Sequence, residues 1–234
     1  MKTGSLVSVI IPCYNAERYV GKAIQSVLDQ TCQSFEIIVI DDGSQDGSAA
    51  VVQQFPDVRY RYQENSGIGA ARNRAIEMAE GDYFAFLDAD DLWEKDKLVR
   101  QLNAFAQDPD LDMVFGYVQQ FLSPDVTRDP AQDTAVNEDP KAGYIPSSLM
   151  VRRDSFLRVG LFAGWKMGEF FYWYARAQEL GLKKLMLPRI VTRRRIHDAK
   201  NGIQQREAIN DYLHILNKSL DRRKQIEKQR PADV

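Results

Sequence analysis

The sequence predicts an α/β fold, a mostly parallel sheet with helices on both faces. Three observations predict it. Apolar, β-branched runs alternate with stretches of helical periodicity through the first half of the chain. The strand-like runs are largely apolar, as strands covered on both faces are. Each run also ends in polar or acidic residues, which marks the edge where open α/β sheets bind ligands.

Taken in order, Val7-Ser8-Val9-Ile10-Ile11 reads as a strand stopped by Pro12. Val20, Ala23, Ile24, Val27 and Leu28 then fall at helical spacing, with Asn15 placed to cap that helix and Glu17 near the positive end of its dipole. Phe35 to Ile40 gives a second strand, ending at Asp41-Asp42-Gly43-Ser44. A helical stretch from about Ser48 to Phe55 precedes Val58-Arg59-Tyr60-Arg61-Tyr62, whose alternation suits a third strand near an edge. Asn65-Ser66-Gly67-Ile68-Gly69 opens a helix that runs through Met78, and Asp82 to Leu87 is the next strand.

The second half is less regular. A helix near Lys97 to Phe105 leads to a strand around Met113 to Phe121. The segment 123–143 is rich in Pro, Asp, Thr and Asn, and reads as a loop over the site or a disordered stretch. Asp154 starts a short helix ending near Gly160. From Glu169 to Leu180 a helix carries Phe170, Trp173, Tyr174 and Ala177 as its apolar stripe, and Leu185 to Val191 is extended. After Asn201, Ile209, Leu213, Leu216 and Leu220 mark an amphipathic helix with a basic end. This gives one domain over 1–203, with a regular half to about 120 and a looser half from about 121. Residues 204–234 form a tail that reads as a solvated segment or as a peripheral contact with an anionic membrane or a partner.

Bulk properties narrow the function. A hydrophobic content of 44% in 234 residues supports a real core, and a net charge of −2 gives no reason to expect nucleic acid. Two cysteines, Cys13 and Cys32, do not make a disulfide scaffold or a metal cluster. No leader pattern precedes the first strand and no apolar run reaches the roughly 18 residues of a membrane span, so the expected location is cytoplasmic.

The most informative residues are Asp88-Ala89-Asp90-Asp91, at the end of an apolar strand. Carboxylates at that position suit a hard cation, Mg²⁺ or Mn²⁺, which commonly also holds substrate phosphates. The alternative is a loop of solvated acids. Gly67-Ile68-Gly69 before a helix offers a phosphate cradle. As a dinucleotide fingerprint it fails, because it does not follow the first strand and Arg72 stands where a third small residue belongs. Arg72 and Asn73, on the first turns of that helix, are placed to reach a diphosphate or to position the acidic turn, the alternative being surface salt bridges.

Four motifs in order resemble those of family 2 glycosyltransferases: Val9-Ile10-Ile11-Pro12-Cys13-Tyr14-Asn15-Ala16-Glu17, then Val39 to Ser48, then Asn65 to Arg74, then Phe86 to Asp91. The resemblance implies the Rossmann-like GT-A fold and a nucleotide-diphosphate sugar donor, with UDP as the default. It implies donor contacts from Pro12, Tyr14, Glu17, Asp41 or Asp42, Asn65, Gly67, Arg72, Asp88 and Ala89. Asp90 would ligate Mn²⁺ or Mg²⁺. Arg193-Arg194-Arg195-Ile196-His197 is similar to the family's late basic segment, so Arg195 would reach the diphosphate and His197 the diphosphate or the metal.

An inverting transferase also needs a base for the acceptor hydroxyl. Family members commonly carry Glu-Asp at a late helix start, whereas this chain has Glu169-Phe170. Phe170 falls on the apolar stripe, which leaves Glu169 as the candidate base and Asp154 as a second choice. The departure also keeps a non-catalytic nucleotide-sugar binder open as a competing reading. A nucleotidyltransferase is disfavoured by Pro12-Cys13-Tyr14-Asn15, which lacks the expected phosphate loop. The sugar, the acceptor and the oligomeric state are not encoded in these motifs.

Overall fold

The computed structural model describes residues 5–124, 138–164 and 168–197. They build one nine-stranded sheet. Its strands are β1 (Val7–Cys13), β2 (Phe35–Asp42), β3 (Val58–Gln63), β4 (Tyr83–Phe86), β5 (Leu92–Trp93), β6 (Met113–Leu122), β7 (Lys141–Ala142), β8 (Met150–Arg152) and β9 (Lys184–Ile196). The helices are α1 (Val20–Leu28), α2 (Ser48–Val52), α3 (Ile68–Met78), α4 (Lys97–Gln107), α5 (Arg153–Val159) and α6 (Glu169–Glu179).

Strand order is β3-β2-β1-β4-β8-β6-β9-β5, with β7 paired to β6. The first four positions are parallel, as expected for strands joined through helices. Beyond β4 the sheet turns mixed. β8 runs antiparallel to both β4 and β6, β9 is parallel to β6, and β5 is antiparallel to β9. The parallel expectation therefore describes the first half of the chain. Among the described residues β6 returns to β7 and β8 without an α-helical crossover, so antiparallel pairing is the local solution there, whereas β6 and β9, with α5 and α6 between them, run parallel.

Alternation along β1 sorts the core into two layers. Val7, Val9, Ile11 and Cys13 face α1, α2 and α4, whereas Ile10 faces α3, α5 and α6. On the first side α1 buries Val20, Ala23, Ile24 and Val27, the residues its period picked out. On the second, α6 buries Phe170, Trp173 and Ala177, with Phe156 stacked on Trp173 at 4.9 Å between ring centroids. Truncating Trp173 to Ala would cost about 3–5 kcal/mol by the usual cavity argument. β3 is at the sheet edge, as its alternation indicated.

Several local expectations need correction. Pro12 does not stop β1. It continues the strand opposite Ile40, and Cys13 pairs with Asp41. Asn15 is not a helix cap. It takes a positive φ of 47°, and α1 begins later, at Val20, with no side-chain cap. β9 is longer than the apolar pattern suggested, because its outer residues are arginines that satisfy the pairing equally well. Part of the 123–143 loop, Trp165, His214 and the C-terminal amphipathic helix lie outside the described residues. Among the described residues no helix is long and apolar enough to cross a membrane.

The core holds a buried lysine. Lys97 is fully buried, with Nζ 2.6 Å from Gln101 Oε1 and 4.1 Å from the centroid of Trp93. Burial pushes its pKa well below the ordinary 10.5. Its folded-state pKa is thus lower than its unfolded value, so the unfolded chain binds the extra proton and stability rises with pH between the two. Urea titrations should show that rise from neutral pH toward 10.5, and Lys97→Met should flatten it.

Candidate active site

The C-terminal ends of β1, β2 and β4 bring three turns to one rim. The turns after β1 and β2 are clasped together. Asn15 N–H donates to Ser44 Oγ at 3.0 Å and Gln45 N–H to Asn15 Oδ1 at 2.8 Å. Gly47 N–H donates to Glu17 Oε2 at 2.6 Å, and Glu17 N–H to Asp46 Oδ2 at 3.1 Å. Asn15 and Glu17 therefore act across the cleft between turns rather than on α1. Tyr14 projects outward beside them, 52% exposed.

Asp41 and Asp42 are both buried at the end of β2, and their side chains point to opposite faces. Asp41 accepts from Ser44 N–H at 2.8 Å and from the Tyr60 hydroxyl at 2.8 Å. Asp42 accepts from Gln63 Nε2 at 2.6 Å and from the N–H groups of Ser66 and Gly67, both at 2.9 Å. The Ser66 and Gly67 amides, just ahead of α3, thus serve a carboxylate, so one N–H of the Gly67-Ile68-Gly69 phosphate-cradle expectation is already engaged. Gly67 is needed there for its φ of 90°. Asn65 is exposed on the same turn, packed against Gly43.

Arg72 is the pivot. It is 1% exposed, and its guanidinium bridges two carboxylates from distant parts of the chain. One nitrogen lies 2.7 Å from Asp88 Oδ1 and the other bonds Glu169 Oε1. Burial opposes the charge on Arg72, but the two carboxylates outweigh it and hold the guanidinium above its ordinary value. Of the two roles the sequence allowed, the geometry supports positioning of the acidic turn. The close approach requires Gly69, where a Cβ would stand 2.7 Å from the carbonyl oxygen of Ala163 and 3.3 Å from Glu169 Cγ. Asn73 adds a second grip, exchanging hydrogen bonds with Phe162 N–H at 3.0 Å and Phe162 C=O at 2.9 Å.

The acids of the turn after β4 have separate tasks. Asp88 pairs with Arg72. Asp90 Oδ2 is 3.0 Å from His197 Nε2. Asp91 is buried, accepting from Ser147 Oγ at 2.8 Å and from Arg195 N–H at 3.1 Å. Ala89 is buried between them. Arg195 donates from Nε to the Asp90 carbonyl at 2.9 Å and stacks over Phe121 and Tyr19. It braces the turn. Ser147 also receives Trp93 Nε1–H and the Thr192 hydroxyl on its carbonyl, at 2.8 and 2.7 Å. Ser147 and Thr192 carried no signal in the sequence, since lone polar residues of this kind are common in loops and strands, whereas Asn73 was singled out beside Arg72 and is found gripping Phe162.

Asp90 and His197, both picked out for a metal, meet here although they are far apart in sequence. His197 Nδ1 is buried without a hydrogen-bond partner, and the ring lies 4.7 Å from that of Tyr19. One carboxylate and one imidazole suit Mn²⁺ or Mg²⁺ if a substrate supplies further oxygens. Among the described residues there is no group of three or more His, Cys, Asp or Glu side chains that would form a self-sufficient cage. Asp154, the second choice for a base, is exposed on α5. Its neighbour Arg153 N–H bonds Asp82 C=O, at the start of β4 and so at the opposite rim.

An open sheet with acidic turns gathered at the ends of its parallel strands, and a short carboxylate–histidine pair among them, defines a GT-A-type transferase site. The chain belongs to glycosyl transferase family 2: residues 8–162 match that family's model. It is 49% identical over 102 residues to the Bacillus subtilis (strain 168) glycosyltransferase TuaG, whose name provisionally assigns it to teichuronic acid biosynthesis; the match covers 42% of this chain and 40% of TuaG. It is 37% identical over 119 residues to the Escherichia coli chondroitin synthase, covering 49% of this chain and 17% of that one. The chain thus matches less than half the length of these relatives. Its fold is that of S. aureus TarS 1-349, solved with UDP, at a TM-score of 0.64 and 23% identity over 81% of this chain and 60% of that one. It is also that of the Pyrobaculum calidifontis mannosyltransferase PcManGT, solved with GDP-Man and Mn²⁺, at 0.61 and 21% over 84% and 58%. Membership of this family sets the nucleotidyltransferase reading aside.

Because Arg72 neutralises two carboxylates in a buried position, Arg72→Met should destabilise the fold by about 3–5 kcal/mol, as breaking a buried ion pair does. Urea denaturation of the two proteins measures this.

Proposed function

We propose that the protein moves a sugar from a UDP-linked donor to an acceptor hydroxyl by one direct displacement, with Mn²⁺ or Mg²⁺ held at Asp90 and His197. The observation that supports this reading most is the Arg72 bridge. It ties Glu169, the candidate base, to Asp88 of the same turn that carries Asp90.

In this reading the nucleoside lies along the rim formed by Pro12, Tyr14 and Asp41. Asp41 keeps acceptor capacity for a base N–H, because a carboxylate offers about four lone-pair sites and two are taken in the structure. Asp88 faces the ribose or the metal shell. The ion would neutralise charge developing on the departing diphosphate. Glu169 accepts the proton of the acceptor hydroxyl as that oxygen attacks the anomeric carbon from the side opposite the leaving group, which inverts the configuration. Arg72 holds one Glu169 oxygen in place and so fixes the direction from which the proton is taken. The 6% exposure of Glu169 limits competition from water. The solution of TarS with UDP and of PcManGT with GDP-Man and Mn²⁺ supports a nucleotide-linked donor and a divalent metal. The names of TuaG and chondroitin synthase both concern polysaccharides, and on that ground the acceptor is a glycan.

Two measurements test the reading. Glu169→Gln should slow turnover at least about 100-fold, the usual range for loss of a general base, while UDP affinity with Mn²⁺ stays within about twofold. Unchanged turnover would remove Glu169 from the role. Asp90→Asn should weaken Mn²⁺-dependent UDP binding by about tenfold or more, seen as a smaller Mn²⁺-induced thermal shift. UDP binding that is indifferent to both the metal and this substitution would end the metal assignment.

A further inference from the structure

A second concave surface lies further along β9. It is a groove of about 620 Å³ between the β6–β9–β5 end of the sheet and the start of α4. Gln119 and Arg193 are cross-strand partners here, and the next pair on the same face is Phe121 and Arg195. Arg195 is the residue whose Nε bonds the Asp90 carbonyl. The groove is therefore continuous, along one face of β9, with the brace of the acidic turn. Residues 193 and 197 are about 13 Å apart at strand spacing.

The lining of the groove has an uneven charge. Arg193 Nε is 3.2 Å from Glu94 Oε1 and Arg100 is held by Asp96. Arg189, which is exposed, has no ion-pair partner among the described residues. The Arg193–Glu94 pair is itself half-exposed, at 51% and 39%, so it is weak and exchangeable. Guanidinium groups match carboxylates and phosphates bidentately. Tyr117 provides a ring face, and Gln119 and Glu94 provide hydrogen-bonding groups for hydroxyls.

We infer that this groove is the acceptor subsite and that it takes a glycan bearing carboxylate or phosphate groups, with Arg189 and Arg193 as its charge contacts and Tyr117 as its sugar platform. The inference rests on the reading of the rim as the donor site, since the groove runs along the same face of β9 as Arg195, which braces the acidic turn of that rim.

Calorimetry on the full chain with UDP and Mn²⁺ present tests it, using a galacturonic acid hexamer, a glycerol phosphate hexamer and neutral maltohexaose. At least one anionic oligomer should bind more tightly than maltohexaose, with an affinity that falls as salt rises. In R189Q/R193Q that affinity should drop about tenfold, the scale expected when charge-assisted contacts are removed. Whichever anionic oligomer binds identifies carboxylate or phosphate as the recognised group. The assignment is overturned if neither anionic oligomer binds, if maltohexaose binds equally well, or if R189Q/R193Q leaves binding unchanged. A UDP titration on the same samples separates the causes. A wild type that takes UDP with Mn²⁺ but fails the oligomer test loses only the groove, whereas one that ignores UDP loses the donor site itself.

Discussion

A single buried guanidinium connects the two halves of the site. Arg72 enters from α3 and binds Asp88 at the end of β4 and Glu169 at the start of α6, residues 16 and 97 positions away in sequence. Such a group is tolerated in an apolar layer only because both charges it meets are opposite to its own. The same constraint explains its surroundings. Gly69 leaves room for α6 to approach, Asn73 pins the strand of chain before it, and Phe162 lies under the guanidinium at 5.7 Å. α3 thus works as a bracket that sets the distance between a candidate base and a candidate metal turn.

The acidic turn illustrates how identical side chains acquire different chemistry. Asp91 is consumed by Ser147 and Arg195, so it holds the turn against the 3₁₀ segment at Pro146–Ser148 and against β9. Asp88 is consumed in part by Arg72. Asp90, paired with a histidine and not a guanidinium, is the member whose partner can itself be a metal ligand. Behind the turn, Lys97 and Gln101 extend the support inward: Gln101 donates to the carbonyls of Val114 and Ser148 at 3.0 and 2.8 Å. Gln101 also accepts from Lys97 Nζ at 2.6 Å, so both ends of its amide are engaged, which suits a support that must keep one geometry.

The first two turns of the rim follow the same logic with weaker interactions. The clasp between residues 14–17 and 44–48 uses backbone amides and short polar side chains, while Asp42 caps the entry to α3. These contacts leave Tyr14 facing outward and Asp41 buried at the end of the strand. A rim of this kind presents a shaped edge to a planar ligand without needing a closed pocket.

The sequence by itself determined the elements of the first half, because buried parallel strands and amphipathic helices write their burial directly into residue period. It also determined which acids lie at the rim, since a carboxylate placed where an apolar strand ends has few other uses. It singled out Asp90, His197, Arg72 and Glu169, but only as residue types in familiar order. What only the tertiary structure decided was their pairing. Asp90 meets His197 and Arg72 meets Glu169 across gaps of about a hundred residues, and no local pattern encodes such a contact. The same holds for the Gly67 amide, which the local pattern offers to a phosphate and which the fold gives to Asp42. It holds as well for the antiparallel half of the sheet, whose short strands and arginine-rich β9 have too little apolar period to reveal their partners. Local sequence specifies which face a residue prefers; the partner it finds there depends on how distant segments pack.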